Sequence, residues 1–342
     1  MLGATSFVSE MREQPARLAT LLDSDPGHLV GSLDLTGFRR VILSGMGASH
    51  YATYPAWLTL VQAGIPAWWI EAGELVHHAR ELVEPDTLLW LTSQSGYSPE
   101  IQALLGGDKA DRPRTLVAMT NDPTSPLAAA ADVVVEIHAG PEESVSTKSY
   151  VNSLVASLLL THSLLGAPDP RGDVARSGEE LDRFLGNDWE TNLDLASKAI
   201  GAPGHVVALA RGAALHAAWT GALVLKEAVR YPAEGMSAGQ FRHGPLELAG
   251  PQLTAIVVEG AASTAALNRG LAEELATAGS HALWIGGSVP RGAVPMPSPV
   301  GYGIGARLGE IVPFQLVAVA LARQMGIEPG EFVHSSKVTL GE

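Results

Sequence analysis

Short apolar runs alternate with helix-like segments along the first half of the chain, and several of the runs end at glycine or serine. The runs have the length of buried strands, and the segments between them are long enough to form helices. This pattern predicts strands at residues 41–43, 67–70, 87–91, 115–119 and 133–137. Helices are predicted at 16–22, where Pro15 suits the first turn, and at 49–62. The alternation is typical of a parallel sheet with helices on both faces.

The second half of the chain repeats this alternation. Strands are predicted at residues 205–209, 253–258 and 282–285. Helices are predicted from about residue 213 to 229, at 264–278 and at 310–325. A polar helical segment at 177–200 and a proline-containing linker at 166–170 separate the two halves.

The two halves align when the chain is shifted by nearly half its length, so that Gly47 falls on Gly212 and, one position further, His77 falls on His243. The order of the predicted elements matches as well, which is the signature of an internal duplication. We therefore predict an α/β protein of two similar doubly wound lobes, each a mostly parallel sheet with helices on both faces. The first domain is predicted at residues 1–170 and the second at residues 171–342.

Composition and charge narrow the class of protein. The chain has 22 basic and 36 acidic residues and a net charge of −14, which disfavours binding to the phosphate backbone of nucleic acids. The absence of cysteine excludes disulfides, thiolate metal ligands and cysteine nucleophiles. The sequence shows neither the apolar core of a signal peptide nor an uninterrupted apolar run long enough to span a bilayer, so we expect a cytoplasmic protein without a membrane span.

Serine-rich turns follow two of the predicted strands. One contains Ser49, which is predicted to cap the following helix, and the other contains Ser93, Ser95 and Ser98. Ligands of open α/β sheets bind beyond the carboxyl ends of the strands, where the N–H groups at a helix start attract anions. Serine hydroxyls donate hydrogen bonds to phosphate oxygens, and Gly96 allows the backbone to approach closely. The two turns therefore predict a phosphate site, although helix capping alone is the alternative for Ser49.

The second half provides an internal comparison for the serine turn. In the alignment that brings His77 onto His243, Ser93-Gln94-Ser95 falls on Glu259-Gly260-Ala261. A carboxylate at this place would repel a phosphate, and no hydroxyl group remains to bind one. We therefore expect one phosphate site per chain, in the first half.

Two titratable residues of the second half are candidates for acid–base chemistry. Glu227 lies in an otherwise apolar predicted helix, and a carboxylate held against apolar surface is suited to moving protons near neutral pH. The alternative is a solvated helix turn beside Lys226. His243 follows beyond the end of that helix and precedes Gly-Pro, which would hold it in a rigid turn. No HExxH-like spacing exists, so no metal site is expected.

Four strings of the chain carry a resemblance to a known family: SGMGASH at 44–50, LTSQSGYSPE at 91–100, LKEAVRYPAEGMSAGQFRHGPLEL at 225–248 and SSKVTL at 335–340. They resemble the sugar isomerase (SIS) domain family. More closely, nearly the whole chain resembles the isomerase half of glucosamine-6-phosphate synthase and its stand-alone deaminase and deglycase relatives.

The resemblance implies a role for each matching residue. Glu227 would move a proton between C1 and C2 of the sugar, His243 of a neighbouring subunit would open the sugar ring, and Lys337 would approach the substrate. Residues Ser146-Thr147-Lys148 match an element on the wall of the sugar site. The residues implied to bind the phosphate are Ser49, Ser93, Gln94, Ser95 and Ser98, and those implied to line the sugar are Gly47, Ser146 and Thr147.

The chain departs from the synthase at several of these positions. Val224 stands where the synthase has a second lysine, Ala48 stands where it has threonine, and the motif around Lys337 aligns only with an offset of one residue. Tyr97 and Ser98 replace a glutamate and a threonine. No glutaminase domain with its cysteine nucleophile is expected, nor is a helix-turn-helix segment of the kind found in the family's transcription regulators.

These observations predict an enzyme that acts on an amino-sugar or fructosamine 6-phosphate by aldose–ketose proton transfer. Release or shift of the amine would need an acid–base pair and stabilisation of the oxyanion, so no metal or organic cofactor is expected. A homodimer with composite active sites is the expected assembly. Two alternatives remain open: a plain phosphosugar aldose–ketose isomerase, and a non-catalytic phosphosugar sensor that needs only the serine loop.

Overall fold

The structure, a computed structural model, describes residues 6–31, 33–106, 113–334 and 336–337. Two compact units make up the chain, and their segments alternate along the sequence. The first unit consists of Ala16–Glu142, Lys148–Ala175 and Val333–Glu342. The second unit consists of Met1–Pro15, Glu143–Thr147 and Arg176–Phe332. The predicted domains are continuous in sequence, and their boundary after residue 170 stays a prediction.

Each unit contains one sheet of five strands among the described residues, and all strand pairs in both sheets are parallel. The first sheet has the order β2-β1-β3-β4-β5 and is made of β1 Arg40–Gly45, β2 Ala67–Glu71, β3 Thr87–Thr92, β4 Thr115–Thr120 and β5 Val133–Glu136. The second has the order β7-β6-β8-β9-β10 and is made of β6 His205–Ala210, β7 Ala233–Ser237, β8 Leu253–Val258, β9 His281–Ile285 and β10 Val294–Pro295.

The two orders are the same when each sheet is numbered from its own first strand. In both sheets the chain starts next to one edge, adds the second strand on the outside, and then crosses over to the third, fourth and fifth strands. The α/β class with two parallel sheets is thereby confirmed. The internal duplication stays a prediction, which the shared strand order supports.

Helices connect the strands and cover the sheets. In chain order the helices of the described residues are α1 Ser6–Arg12, α2 Gln14–Asp23, α3 Gly47–Ala52, α4 Tyr54–Gln62, α5 Ala72–His78, α6 Pro99–Leu105, α7 Pro126–Ala130, α8 Lys148–Leu164, α9 Arg171–Leu185, α10 Trp189–Ile200, α11 Leu215–Val229, α12 Ala238–Phe241, α13 Ala262–Thr277 and α14 Ala306–Met325.

The continuous apolar runs of the sequence become the central strands. All residues of β1, β3 and β8 are buried, as expected for parallel strands that have helices on both faces. Each sheet packs its own apolar cluster, and the first includes Ile42, Leu89, Leu91, Ile101, Leu116 and Leu127. The second includes Val207, Leu209, Phe241, Ala255, Val257 and Trp284.

Two of the predicted helices are divided in the structure. The stretch 49–62 forms α3 and α4, since Pro55 in the first turn of α4 favours a new helix start. The polar segment 177–200 forms α9 and α10, and the turn between them contains Gly186, where a Cβ atom would lie 2.6 Å from the backbone oxygen of Asp182.

One helical stretch of the described residues, Gly303–Met325, has the length and composition needed to cross a membrane, and 83% of its most apolar part is buried inside the structure. A core helix of a protein without a membrane span passes the same test. Pro313 lies inside this stretch, and both Ile311 and Phe314 are fully buried.

Candidate functional site

The serine turns of the first unit begin at neighbouring points of the same sheet edge. β1 and β3 are adjacent and parallel, and their last residues, Gly45 and Thr92, are paired in register. The strands approach so closely that a Cβ atom on Gly45 would lie 2.6 Å from the backbone oxygen of Thr92. The turns at 46–49 and 93–98 therefore leave the carboxyl edge of the sheet side by side, where open α/β sheets bind ligands.

Hydrogen bonds between its own residues shape the serine loop, residues 93–98. Ser93 is buried, its hydroxyl oxygen lies 3.1 Å from that of Ser98, and it accepts a hydrogen bond of 3.1 Å from the N–H of Gly96. The hydroxyl of Ser95 accepts from the N–H of Tyr97 at 3.2 Å. Gly96 has a φ of +72°, a conformation that favours glycine. The loop therefore gathers three hydroxyl groups directly after β3.

Two backbone carbonyl groups of the serine loop accept hydrogen bonds from neighbouring segments. The carbonyl of Gln94 accepts hydrogen bonds from the N–H of Asn121 at 3.0 Å and from the hydroxyl of Thr120 at 3.3 Å. The side-chain amide of Gln102, on α6, donates to the carbonyl of Gly96 at 2.9 Å. These bonds hold the partly negative carbonyl groups in fixed positions. Gln94 itself is half-buried.

The structure corrects the predicted capping role of Ser49. Helix α3 begins at Gly47, and the residue before it, Met46, is its N-cap. Ser49 therefore lies inside the first helical turn and is half-buried. Gly47 has a φ of +50°, so the chain turns sharply from β1 into the helix. This early helix start brings Ser49 to the same edge as the serine loop without using it as a cap.

A buried histidine lies next to Ser49. The ring of His50 stacks on Trp69 with 3.7 Å between the ring centroids, and burial lowers the pKa of His50 to about 3. His50 is therefore neutral at physiological pH. It adds no positive charge near the serine turns, in keeping with an anion site made of neutral donors.

Glu227 lies near the end of α11 in the second unit. It is half-buried, while its neighbours Leu225 and Ala228 on the same helix are fully buried and Lys226 is exposed. Val224, which stands in place of the synthase lysine, is buried as well. The helix thus presents Glu227 at the border between its buried face and its exposed face, and its role as a base stays a prediction.

A glycine joins the segment of Ser146 and Thr147 to the end of α11. The N–H of Gly330 donates to the carbonyl of Ala228 at 2.8 Å, and the carbonyl of Gly330 accepts from the hydroxyl of Ser144 at 3.1 Å. Gly330 has a φ of +82°, and a Cβ atom there would lie 1.9 Å from the hydroxyl oxygen of Ser144. Within the second unit the predicted wall of the sugar site is therefore tied to the residue that follows Glu227. Thr147 is fully buried and Ser146 is half-buried.

His243 lies in an exposed turn after α12. Its backbone N–H donates to the carbonyl of Gln240 at 2.9 Å, and the next residue, Gly244, has a φ of +126°. His243 thus lies in a turn and is exposed to solvent within the single chain. An exposed position is compatible with a histidine that serves a neighbouring subunit.

Lys337 lies in the first unit and is bound to a glutamate that the sequence analysis did not single out. Its ammonium nitrogen lies 2.6 Å from Oε2 of Glu142, whose side chain is fully buried. The only signal in the sequence is the place of Glu142 shortly before Ser146. Lys148, the last residue of the Ser146-Thr147-Lys148 element, is 2% exposed and so lies in the interior at the start of α8.

The described residues also form a cavity away from the serine turns. This cavity of about 590 Å³ in the first unit is lined by none of the predicted site residues, its walls coming from residues 25–31 and 159–171. Within the described part of the chain no group of three or more histidine, aspartate or glutamate side chains could hold a metal ion.

One continuous part of the chain matches a known family. Residues 34–163 match the family model described as the SIS domain, so this part of the chain is a SIS domain. The match spans the whole first sheet and both serine turns.

A curated relative extends the similarity. Over 271 residues the chain is 32% identical to a glutamine–fructose-6-phosphate aminotransferase (isomerizing) from Pseudomonas syringae pv. tomato. The alignment includes 74% of this chain and 44% of the relative, so the chain spans less than half the length of that protein.

Solved structures with the same fold cover nearly the whole chain. One is the C-terminal domain of glucosamine-fructose-6-phosphate aminotransferase from Francisella tularensis, with a TM-score of 0.80, 21% identity, and coverage of 96% of this chain and 98% of the other. Another is glucosamine-6-phosphate deaminase from Thermotoga maritima, with a TM-score of 0.76, 21% identity, and coverage of 98% and 99%. At this identity the likeness establishes the fold.

Proposed function

We propose that the protein is a phosphosugar enzyme that isomerises or deaminates an amino-sugar or fructosamine 6-phosphate by aldose–ketose proton transfer. The observation that carries the proposal is the cluster of serine hydroxyls at the carboxyl edge of the first sheet, beside the first turn of α3. The relative from Pseudomonas syringae and the deaminase from Thermotoga maritima carry names of sugar-phosphate enzymes, which supports the same class of substrate.

The phosphate of the substrate is bound by neutral donors. The hydroxyl oxygens of Ser93 and Ser98 lie 3.1 Å apart, Ser95 belongs to the same loop, and Ser49 follows the adjacent strand β1. In a protein with a net charge of −14, hydroxyl and backbone N–H groups provide local attraction for an anion without a cationic side chain. A phosphate held in this way would orient the sugar.

The proton transfer is assigned to Glu227. Its carboxylate removes the proton from the carbon next to the carbonyl or imine of the open-chain sugar and returns it to the neighbouring carbon. An enediol or enolamine is the intermediate. Its reprotonation gives the isomeric sugar or an imine at C1 or C2, and water adds to the imine carbon, so that the amine leaves and the carbonyl oxygen comes from water. A half-buried carboxylate on an otherwise buried helix face suits this role, since a general base works best when it is partly shielded from water.

Ring opening is assigned to His243 of a neighbouring subunit in a homodimer. The exposed turn of His243 supports this assignment, because an imidazole at the surface is available to a second copy of the chain. A twofold dimer would produce two equivalent sites.

Two other functions remain as candidates. A plain phosphosugar isomerase would use the same serine loop and the same glutamate on a substrate without an amine. A sensor would bind the sugar phosphate and require neither Glu227 nor His243. The half-buried position of Glu227 favours an enzyme over a sensor.

A substrate panel tests the proposed function. The protein would be incubated with amino-sugar 6-phosphates, fructosamine 6-phosphates and simple ketose and aldose 6-phosphates, and the released amine and the sugar products would be measured by mass spectrometry. Turnover of amine-bearing substrates with release or shift of the amine supports the proposal. Turnover of amine-free substrates alone would favour the plain isomerase, and binding without turnover would favour the sensor.

Mixing of two inactive variants tests the assembly. Glu227→Gln and His243→Ala, each inactive alone, should regain part of the activity as a heterodimer, since one of the two mixed sites contains both native residues. Mass spectrometry would verify that the subunits exchange. Exchange without recovery of activity would show that His243 does not act in the site of a partner.

A further inference from the structure

Glu142 is a buried carboxylate surrounded by donors from distant parts of the first unit. Its Oε1 accepts a hydrogen bond of 3.2 Å from the N–H of Ser149, and its Oε2 accepts a hydrogen bond from the hydroxyl of the same serine. The ammonium group of Lys337 donates to Oε2 at 2.6 Å. The side chain of Glu142 is fully buried, and that of Lys337 is 19% exposed.

Such an ion pair determines where Lys337 is held. A carboxylate taken out of water requires compensating donors, and a cation is the strongest of them. Lys337 is 195 residues away along the chain, so the pair fastens the last described part of the chain to the segment that precedes Ser146 and Thr147. The pair is therefore a tertiary contact that no local sequence pattern would have placed.

A single asparagine connects the segment of Glu142 to the serine loop. The backbone N–H of Asn121 donates to the carbonyl of Gln94 at 3.0 Å. Its side chain donates to the carbonyl of Gly140 at 2.9 Å and accepts from the N–H of Ala139 at 2.8 Å. All of these residues belong to the first unit. The chain that carries Glu142 is thus held against the loop to which we assign the phosphate.

We propose that Glu142 is a positioning residue, which seats Lys337 beside the serine loop. The inference rests on the proposed function, to which it adds the role that the family resemblance implies for Lys337, namely that its ammonium group approaches the bound sugar phosphate. Glu142 acts through Lys337 and does not itself touch the substrate. Ser149 supports the carboxylate from α8.

Trypsin cleavage after Lys337 tests the seating without any measurement of activity, because trypsin must take the lysine side chain into its own pocket. Glu142→Gln keeps the shape of the side chain and removes its charge, so cleavage after Lys337 should be about tenfold faster than in the native protein, the factor expected for loss of one charge-assisted hydrogen bond. Intact-mass spectrometry at early times would follow the product that ends at Lys337. Glu143→Gln is the matched control, since Glu143 is the adjacent and exposed glutamate, and its cleavage rate should equal that of the native protein.

A second variant keeps the test valid if Glu142→Gln folds poorly. Ser149→Ala leaves the charge of Glu142 in place and removes one of its donors, so cleavage should accelerate in the same direction by a smaller factor. Equal cleavage rates in the native protein, Glu142→Gln and Ser149→Ala would show that Glu142 does not seat Lys337 and would overturn the inference.

Activity then tests whether the seating serves the reaction. On a substrate that the native protein turns over, Glu142→Gln should lower kcat/KM about tenfold, and Lys337→Gln should lower it at least as much. Because Glu142 acts through Lys337, the double variant should be no worse than Lys337→Gln alone, and Glu142→Asp should restore part of the loss. Additive losses, or a native rate in Glu142→Gln despite faster cleavage, would contradict a positioning role. If no sugar phosphate is turned over by the native protein, the proposed function fails, whereas the trypsin comparison still decides whether Glu142 seats Lys337.

Discussion

The loops that follow the third strand of each sheet have the same backbone frame and different side chains. Ser93 begins the loop after β3, and its N–H donates to the carbonyl of Met119 on the next strand at 3.0 Å. Glu259 begins the loop after β8, and its N–H donates to the carbonyl of Ile285 at 2.8 Å. The shift that brings His77 onto His243 also brings the first pair onto the second. Differences between the two loops in anion binding would therefore come from their side chains.

In the second unit, Glu259 binds neighbouring hydrogen-bond donors of the same unit. The carboxylate of Glu259 accepts from the N–H of Gly287 at 2.6 Å and lies 3.4 Å from the guanidinium of Arg269. A donor and a cation that could attract a phosphate are thus already bound to an internal anion. The serine loop of the first unit offers hydroxyl groups and no carboxylate of its own. The two loops thus differ in whether a carboxylate already binds the surrounding donors, and only the serine loop is proposed as an anion site.

The largest expected effect is a loss of turnover without a loss of substrate affinity. Glu227→Gln should keep the fold and the affinity for sugar phosphate and lose at least about a hundredfold in turnover, a typical contribution of a general base. Turnover by mass spectrometry and entry of solvent deuterium at C1 or C2 of the sugar would measure it. Glu234→Gln, at an exposed glutamate of β7, is the control and should keep native turnover. Deuterium entry at the native rate in Glu227→Gln would exclude this residue as the proton shuttle.

Removal of hydroxyl groups from the serine loop tests whether this loop binds the phosphate. Ser95→Ala together with Ser98→Ala should weaken the affinity for sugar phosphate by about tenfold per hydroxyl, since each loses a hydrogen bond to a charged group. Isothermal titration calorimetry would measure the affinity, and the unphosphorylated sugar should bind poorly to both proteins. An unchanged affinity of the double variant would remove the loop from the phosphate site.

A second pair of equivalent residues, two buried histidines, should make the stability of the protein depend on pH. His50 and His216 are aligned by the same shift as Ser93 and Glu259, and burial lowers the pKa of both, while the hydrogen bond from His216 to Glu310 opposes that change. The pKa of His50 is about 3 in the folded protein and about 6.5 in the unfolded chain, so the unfolded chain binds more protons between these values. The contribution of His50 to stability is therefore full above about pH 6.5 and is lost as the pH falls towards 3, by about 1.4 kcal/mol per pH unit.

His50→Phe checks this pH dependence. The substitution keeps a flat ring on Trp69, and it removes a buried ring nitrogen that has no hydrogen-bond partner among the described residues. Urea unfolding at pH 7, 6 and 5 should show a shallower loss of the free energy of unfolding in the variant than in the native protein. An identical slope in both proteins would show that His50 does not contribute to acid unfolding.

The smallest expected effect concerns the glutamate of the second loop. Glu259→Gln weakens the bonds to Gly287 and Arg269, and it should lower the free energy of unfolding by about 1 kcal/mol, because both groups are partly exposed. The affinity for sugar phosphate should stay native. A change in that affinity, with an unchanged serine loop, would show that the second loop takes part in phosphate binding.

Local pattern was sufficient to predict most strands. The apolar runs that became β1, β3 and β8 are long, buried on both faces and ended by small residues, so their boundaries differ by at most a few residues from the prediction. β7 was missed because its sequence, AEGMS, contains a glycine and has no apolar run, and β10 has only two residues. These two strands exist because neighbouring strands offer them hydrogen-bonding partners.

In the candidate site, too, some residues could be predicted from the local sequence and others could not. The serine loop could be predicted from residues that are adjacent in sequence, since its hydroxyls, its glycine and the end of the strand all lie within a few positions. Glu142 could not be predicted, because its importance depends on Lys337, which is far away along the chain. The capping role predicted for Ser49 was wrong, because the helix starts earlier, at Gly47, and its part in phosphate binding stays a prediction.

The sequence alone determined the alternation of strands and helices, the parallel α/β class and the position of the serine turns, because each depends on the order of residues along a short stretch. Only the tertiary structure decided which distant groups meet. The pairing of Glu142 with Lys337, the bridge from Ser144 through Gly330 to Ala228, and the carboxylate of Glu259 on Gly287 all join residues far apart in the chain. Burial of a charge or of a backbone polar group requires a partner wherever the fold can bring one, and that requirement acts in space rather than along the sequence.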